Sequence, residues 1–404
     1  MRVFIKYILF ILIIPAVSLK AGSYFTSQLH SMGLRAYVPG VRGIGMGNTG
    51  IASMDSVQLG NYNISQWRHI SDTRLTLGVR YNRINTQLNN ENFMATSAGF
   101  AGISLAVPIK RHEWVIGLNF QPYTLLDFKS SQSQVSDGIS FTQNNILNGA
   151  IGKAQLNLVW SPIPAIGISI NGNYYLGSIE DRYEYTFSDG SYRDITQGIT
   201  YKISGPGLGF SADIQPKSWL ILAGFADTKS NLKVKTTYNS SAVVQDSTQR
   251  KLDEQRNLDA FPLHFGVGSA IMLSSRWNLA VDYSYQFWSE TLKKPTQDYE
   301  DWYHVGIGVE REASRKRKPG FFNLMDIRGG FSTKRIGYKF NNESVFEHAI
   351  HFGLGFPFNQ YRNRFDFSIS AGLRGDKTKN LADEKFINFN ASVAIGERWF
   401  RSSR

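Results

Sequence analysis

The sequence predicts an all-β fold: a transmembrane antiparallel β-barrel of about 14 strands with an N-terminal hatch inside its lumen. Three observations predict it. Apolar side chains recur with a period of two, the alternating segments are long enough to cross a bilayer, and tryptophans stand at segment ends.

The period comes first. In "RWNLAVDYSYQF", Trp277, Leu279, Val281, Tyr283, Tyr285 and Phe287 alternate with Asn278, Ala280, Asp282, Ser284 and Gln286. "RFDFSISAGLR", "FINFNASVAIG" and "AIGISINGN" repeat the pattern. Successive side chains of a strand point to opposite faces, so each segment has one apolar face and one small, polar or charged face.

A soluble β-sandwich alternates in the same way, and length separates the two. About fourteen segments run to roughly ten residues or more, the length that crosses a bilayer when tilted. They start near Thr73, Gly99, Trp114, Gly152, Ile166, Gly205, Trp219, Phe261, Trp277, Trp302, Leu324, Ala349, Phe365 and Phe386. Short connections ("IKRHE", "SPIPA", "QPKS", "LSSR", "FNQYRN") are set against longer polar ones. The longer ones are "NTQLNNENFMATS", "SSAVVQDSTQRKLDEQRN", "SETLKKPTQDYED" and "LRGDKTKNLADEK". Tight turns on one side and long loops on the other mark an outer-membrane barrel.

Trp114, Trp219, Trp277 and Trp399 sit beside the short turns, where an interfacial girdle places an amphipathic ring. Charges on the polar faces (Arg80, Asp213, Asp282, Asp366 and Arg374) are expected to face the lumen, because a lipid-facing charge is costly.

The N-terminus agrees. "MRVFIK" is a basic n-region, "YILFILIIPAVS" an apolar core too short to span, and Ala21 a small residue for cleavage. Residues 1–21 therefore read as a signal peptide, 22–72 as hatch and 73–404 as barrel. Cysteine is absent, which excludes disulfides, Cys-ligated zinc and iron–sulfur clusters. The formal charge of +12 fits an anionic membrane surface, and an exported barrel has no nucleic acid partner. His348 and His351, three apart on a strand, fall on opposite faces and are no metal pair. The run Arg315, Lys316, Arg317, Lys318 reads as a solvated periplasmic turn. With no Ser/His/Asp set, paired carboxylate or cofactor loop in view, neither an enzyme nor a cofactor is expected.

"GIGMGNTG", residues 43–50, has the Gly-x-Gly-x-x-Gly spacing of a dinucleotide loop. That loop requires a strand before it and a helix after it, and the sequence offers neither. The glycines are expected where backbone turns tightly or meets another backbone.

"VRGIGMGNTGIASMDSVQLGNYNISQW" resembles the N-terminal hatch signature of the FadL/TodX superfamily of fourteen-stranded outer-membrane channels for hydrophobic compounds. PorV, of the type IX secretion system, is a distant relative with the same signature. Arg42, Gly43, Gly45, Met46, Gly47 and Asp55 match the pattern, and Asn63 matches its Asn. Ile64 and Ser65 replace the following Pro and Ala, and Trp67 fits a common continuation. The resemblance implies passive uptake of hydrophobic small molecules such as long-chain fatty acids. A PorV-like secretion component that binds cargo or a secretion pore is the alternative.

"WVIGLNFQPYTLLDF" carries Gln121 and Pro122 inside the third strand. Proline gives no ladder hydrogen bond, so the strand either kinks and leaves a gap or has already frayed there. The family resemblance implies a lateral exit at that kink. The expected surroundings are outer-membrane lipid and lipopolysaccharide, a hydrophobic ligand and the barrel-assembly machinery that inserts such proteins.

Overall fold

The computed structural model describes residues 23–26, 33–53, 55–88, 91–136, 138–187, 192–241, 260–289, 299–315 and 320–399. The expected signal peptide, residues 1–21, lies outside them, as do Lys316, Arg317 and Lys318 of the basic turn.

Fourteen antiparallel strands form one closed sheet. They are β1 (Thr73–Leu88), β2 (Glu91–Lys110), β3 (Trp114–Ser136), β4 (Ile139–Ile163), β5 (Ile166–Phe187), β6 (Ile195–Lys217) and β7 (Leu220–Asp227). The circuit continues with β8 (His264–Met272), β9 (Trp277–Gln286), β10 (Trp302–Arg311), β11 (Asp326–Phe340), β12 (Glu343–Phe358), β13 (Asn363–Arg374) and β14 (Ala382–Glu397). Each strand pairs with its sequence neighbours, and β14 closes on β1 from Glu397↔Thr73 to Ala382↔Leu88. Closure satisfies the backbone internally, which is what a strand-built membrane span requires.

The period of two becomes a two-faced wall. On β12, Ile350 and Phe352 are exposed while His351 between them is buried; on β13, Phe365 and Phe367 flank buried Asp366. His351 hydrogen-bonds Ser332 and Ser370 at 2.8 Å each, and His348 faces the other way. Trp114 stacks on Trp160 at the short-turn end, and Trp219, Trp277 and Trp399 are exposed.

One expected loop is absent. Most of "NTQLNNENFMATS" is strand, because β1 and β2 stay paired up to Leu88↔Glu91. The polar residues there extend the wall rather than leave it. β3 to β6 are likewise long, at 23, 25, 22 and 23 residues, against 8 for β7. The far half of β6 pairs instead with Lys233–Ser240, so this side of the wall projects furthest.

Two of the bulges in the circuit lie where β2 and β3 part. Ala101 is the extra residue on β2, between the pairs Gly78↔Gly102 and Val79↔Phe100. Tyr123 is the extra residue on β3, between Pro122↔Gly152 and Thr124↔Ile151. Bulges bend the strand that carries them and sharpen its twist.

Candidate functional site

The glycine motif makes one helical turn, Val41–Gly45, after Gly40. The turn lays Gly45 on β12, where a Cβ on Gly45 would stand 2.9 Å from the Gly353 Cα. Gly47 follows at φ +73°, its missing side chain leaving room for the Ile307 and Phe331 carbonyls. Met46 between them is buried. The glycines thus serve contact between two backbones. Just beyond, the Gly50 and Ile51 N–H groups donate to Asp282 Oδ2 at 2.6 and 2.7 Å.

Arg42 on the same turn reaches an ionic cluster. Its Nε donates to Glu310 Oε1 at 3.0 Å, and it lies 3.6 Å from Asp55. Asp55 pairs with Arg364, and Arg364 Nε donates to Asp366 Oδ1 at 2.8 Å. Arg328 completes the set, donating to Glu310, Asp326 and Asp366 at 2.7, 2.8 and 2.6 Å. Burial opposes ionisation of Asp55, but the Arg364 and Arg42 guanidiniums outweigh it and hold the carboxyl down at about 2. Charges out of water are tolerable only when paired and hydrogen-bonded, as they are here.

Asn63 caps the 3-10 turn Ile64–His69, accepting from the Ser65 N–H at 3.2 Å and donating to the Ile51 carbonyl at 2.8 Å. Ser65, where the resembling family has Ala, donates its hydroxyl to Asp213 Oδ1 at 2.6 Å. Arg68 takes the other oxygen of Asp213 at 2.7 and 2.9 Å. Trp67 is buried and donates its indole N–H to the Gly60 carbonyl at 2.9 Å. The Pro-Ala turn is thereby replaced by a polar one with its own wall partner.

At the opposite end of the strands, Arg374 binds Glu347 at 2.7 Å and Glu384 at 2.6 Å. Ser23 joins them, donating to Glu384 at 2.9 Å. Phe25 packs edge-on against Phe340 at 5.1 Å in the aromatic cluster above.

Gln121 and Pro122 stand where the wall splits. β2 and β3 are paired from Lys110↔Trp114 to Ile103↔Phe120; beyond that, β2 follows β1 and β3 follows β4. The edge of β3 is met instead by Leu34 and Arg35, which pair with Leu125 and Thr124. Gln121 donates to the Asn61 carbonyl at 3.3 Å. The bulged Tyr123 carbonyl accepts from the Ala36 N–H and from Arg35, both at 2.9 Å.

A cavity of about 670 Å³ lies at this split. Its lining joins the exposed Phe120 and Leu176 to the buried His351 and Arg374. Arg80 also lines it, beside Gly99.

Of the residues singled out from the sequence, Arg42, Asp55 and Asp366 share one cluster, Asn63 and Asp213 a second, and Asp282 meets the motif backbone. Arg80, Gln121, Pro122 and Arg374 line or border the cavity. Sequence reasoning missed Glu310, Arg328, Arg364, Arg68 and Glu384. Arg328 stands between Ile327 and Gly329, which is the signal that would have flagged it; Glu310, between Val309 and Arg311 in a charged run, carries no such signal. Among the described residues, no group of three or more His, Cys, Asp or Glu is placed to hold a metal ion.

Known structures share the fold. A Pseudomonas aeruginosa FadL homologue superposes at TM-score 0.59 with 11% identity, covering 90% of this chain and 99% of that one. The P. putida toluene transporter TodX gives 0.58 with 13% identity, covering 92% and 100%. The Ralstonia pickettii toluene transporter TbuX gives 0.56 with 12% identity, covering 90% and 99%. At such identities the likeness is one of fold. The closed barrel with its apolar outer face places the protein in the outer membrane of a diderm bacterium. No curated protein sequence matches. The match to the BamG family extends over residues 5–404, nearly the whole sequence, and the chain belongs to that family.

Proposed function

We propose that the protein passes hydrophobic small molecules, long-chain fatty acids among them, across the outer membrane by diffusion. In this reading residues 22–72 are a hatch inside the barrel, and the split between β2 and β3 is the lateral opening. The observation that carries it is the cavity at that split, whose lining runs from outward-facing Phe120 and Leu176 to buried groups of the opposite wall. An apolar ligand crosses lipopolysaccharide poorly, and a sheltered pocket open to the hydrocarbon layer supplies a path. The solved barrels of like fold, named as transporters of toluene, are consistent with this use. A secretion-partner role would rest instead on the projecting sheet of β3 to β6 with Lys233–Ser240.

The test fills the cavity. Asn388 lines it from β14, and Asn388→Trp places an indole there. Uptake of a labelled long-chain fatty acid and of a neutral aromatic hydrocarbon should fall nearly to that of cells lacking the protein, at equal surface abundance. Unchanged uptake of both would sink the channel reading and leave the projecting sheet as the place to look.

A further inference from the structure

Arg80 differs from most other cations of the barrel interior, and buried Arg35 and Arg74, which meet no carboxylate either, donate to backbone carbonyls. Arg42, Arg68, Arg328, Arg364, Arg374, Lys153 and Lys334 each meet a carboxylate. Arg80 is half-buried at the cavity and has no hydrogen-bond or ion-pair partner among the described residues. Its cross-strand neighbours are neutral, Gly99 on β2 and Asn390 on β14. Gly99 leaves space for it: a Cβ there would stand 3.3 Å from Arg80 Nε.

The cavity as a whole has the same imbalance. Arg35, Arg80, Lys334 and Arg374 line it against only Asp127 and Glu347. Glu347 is already taken by Lys334 at 2.9 Å and Arg374 at 2.7 Å. A guanidinium withdrawn from water without a counter-charge is unfavourable, and an entering oxyanion reverses that with two parallel hydrogen bonds. On the outer side of the same cavity, Phe100, Phe120 and Leu176 present hydrocarbon.

Resting on the reading that the split admits hydrophobic molecules, we propose that Arg80 is a headgroup site and that the ligand is an anionic amphiphile. A carboxylate or phosphate sits on the guanidinium, and the tail runs out between β2 and β3 over Phe100 and Phe120. The amides of Asn388 and Asn390 line the same patch and offer neutral donors.

The experiment compares hexadecanoate with hexadecanol, which have the same tail, on detergent-purified wild type, Arg80→Ala and Arg80→Lys. Wild type should prefer the carboxylate by about ten- to a hundredfold, the worth of one charge-assisted contact. Arg80→Ala should lose that preference with hexadecanol binding unchanged, and Arg80→Lys should keep most of it. Mass spectrometry of co-purified lipid separates the sources. A phospholipid retained by wild type and lost from Arg80→Ala assigns the head to a bilayer phosphate; carboxylate preference without it assigns a free fatty acid. Equal binding of both probes by wild type overturns the headgroup site but spares the lateral opening. Binding of neither probe, with no lipid differing between variants, overturns both.

Discussion

Arg42 Nε donates to Glu310 Oε1 at 3.0 Å, so the residue just before the glycine motif is tied to β10 through a buried ion pair. Arg42→Ala leaves Glu310 with Arg328 alone and Asp55 with Arg364 alone. Breaking a buried pair from one side costs about 3–5 kcal/mol. The variant should lose heat resistance in a gel-shift assay and be cut near Met46 under limited proteolysis that spares the wild type. Rapid cleavage near Met46 in the wild type would mean that residues 22–72 are a free tail.

Gly45 and Gly353 face each other without side chains, and a Cβ on Gly45 would stand 2.9 Å from the Gly353 Cα. Gly45→Val should destabilise by about 1–3 kcal/mol through overpacking. Gly353→Val should do the same from the barrel side. The check is the thermal midpoint of each variant; a wild-type midpoint for both would show that the contact does not matter.

Asp55 makes the attachment depend on pH in a stated direction. Its folded-state pKa of about 2 lies below the ordinary 3.8, so its contribution is complete above the ordinary value and is lost as pH falls through about 2. Pepsin digestion should therefore leave residues 33–72 intact near pH 4 and release fragments from them near pH 2. Asp55→Asn should be cleaved alike at both values, whereas equal resistance of wild type and variant at pH 4 would remove Asp55 from the account.

Pro122 is only part of the cause of the split. The last β2–β3 pair is Ile103↔Phe120, two residues before the proline, and Ala101 has already bulged from β2. Pro122→Ala restores one backbone N–H, worth about 1 kcal/mol if it finds a partner. A slightly more heat-resistant barrel with uptake near wild type is expected. Abolished uptake would show that the proline alone holds the wall apart.

The number and order of the strands were legible in the sequence. Alternation is local, since each strand repeats its own two-faced pattern whatever its neighbours are. Fourteen starts from Thr73 to Phe386 fall in or beside fourteen observed strands in the same order. The unusual role of the glycines was legible too, because a phosphate loop needs flanking elements that the sequence lacks. Pairing was not legible. Nothing in residues 85–97 distinguishes a polar loop from strands that rise beyond the bilayer, because a hydrogen-bonded ladder tolerates either kind of side chain once neighbours supply the bonds.

The ionic cluster belongs to tertiary structure for a related reason. Asp55 and Arg364 are 309 residues apart, and only barrel closure brings β13 beside the N-terminal segment. Alternation marks Asp366 and Arg374 as polar-phase residues, but it names no partner for either. The same holds at the wall. Pro122 announces a lost hydrogen bond, while the position of the split depends on two bulges facing each other across neighbouring strands. The sequence by itself determined which face each residue takes, through the local geometry of the chain. The tertiary structure alone decided which charges meet and which, like Arg80, have no partner among the described residues, because those depend on register around a closed sheet.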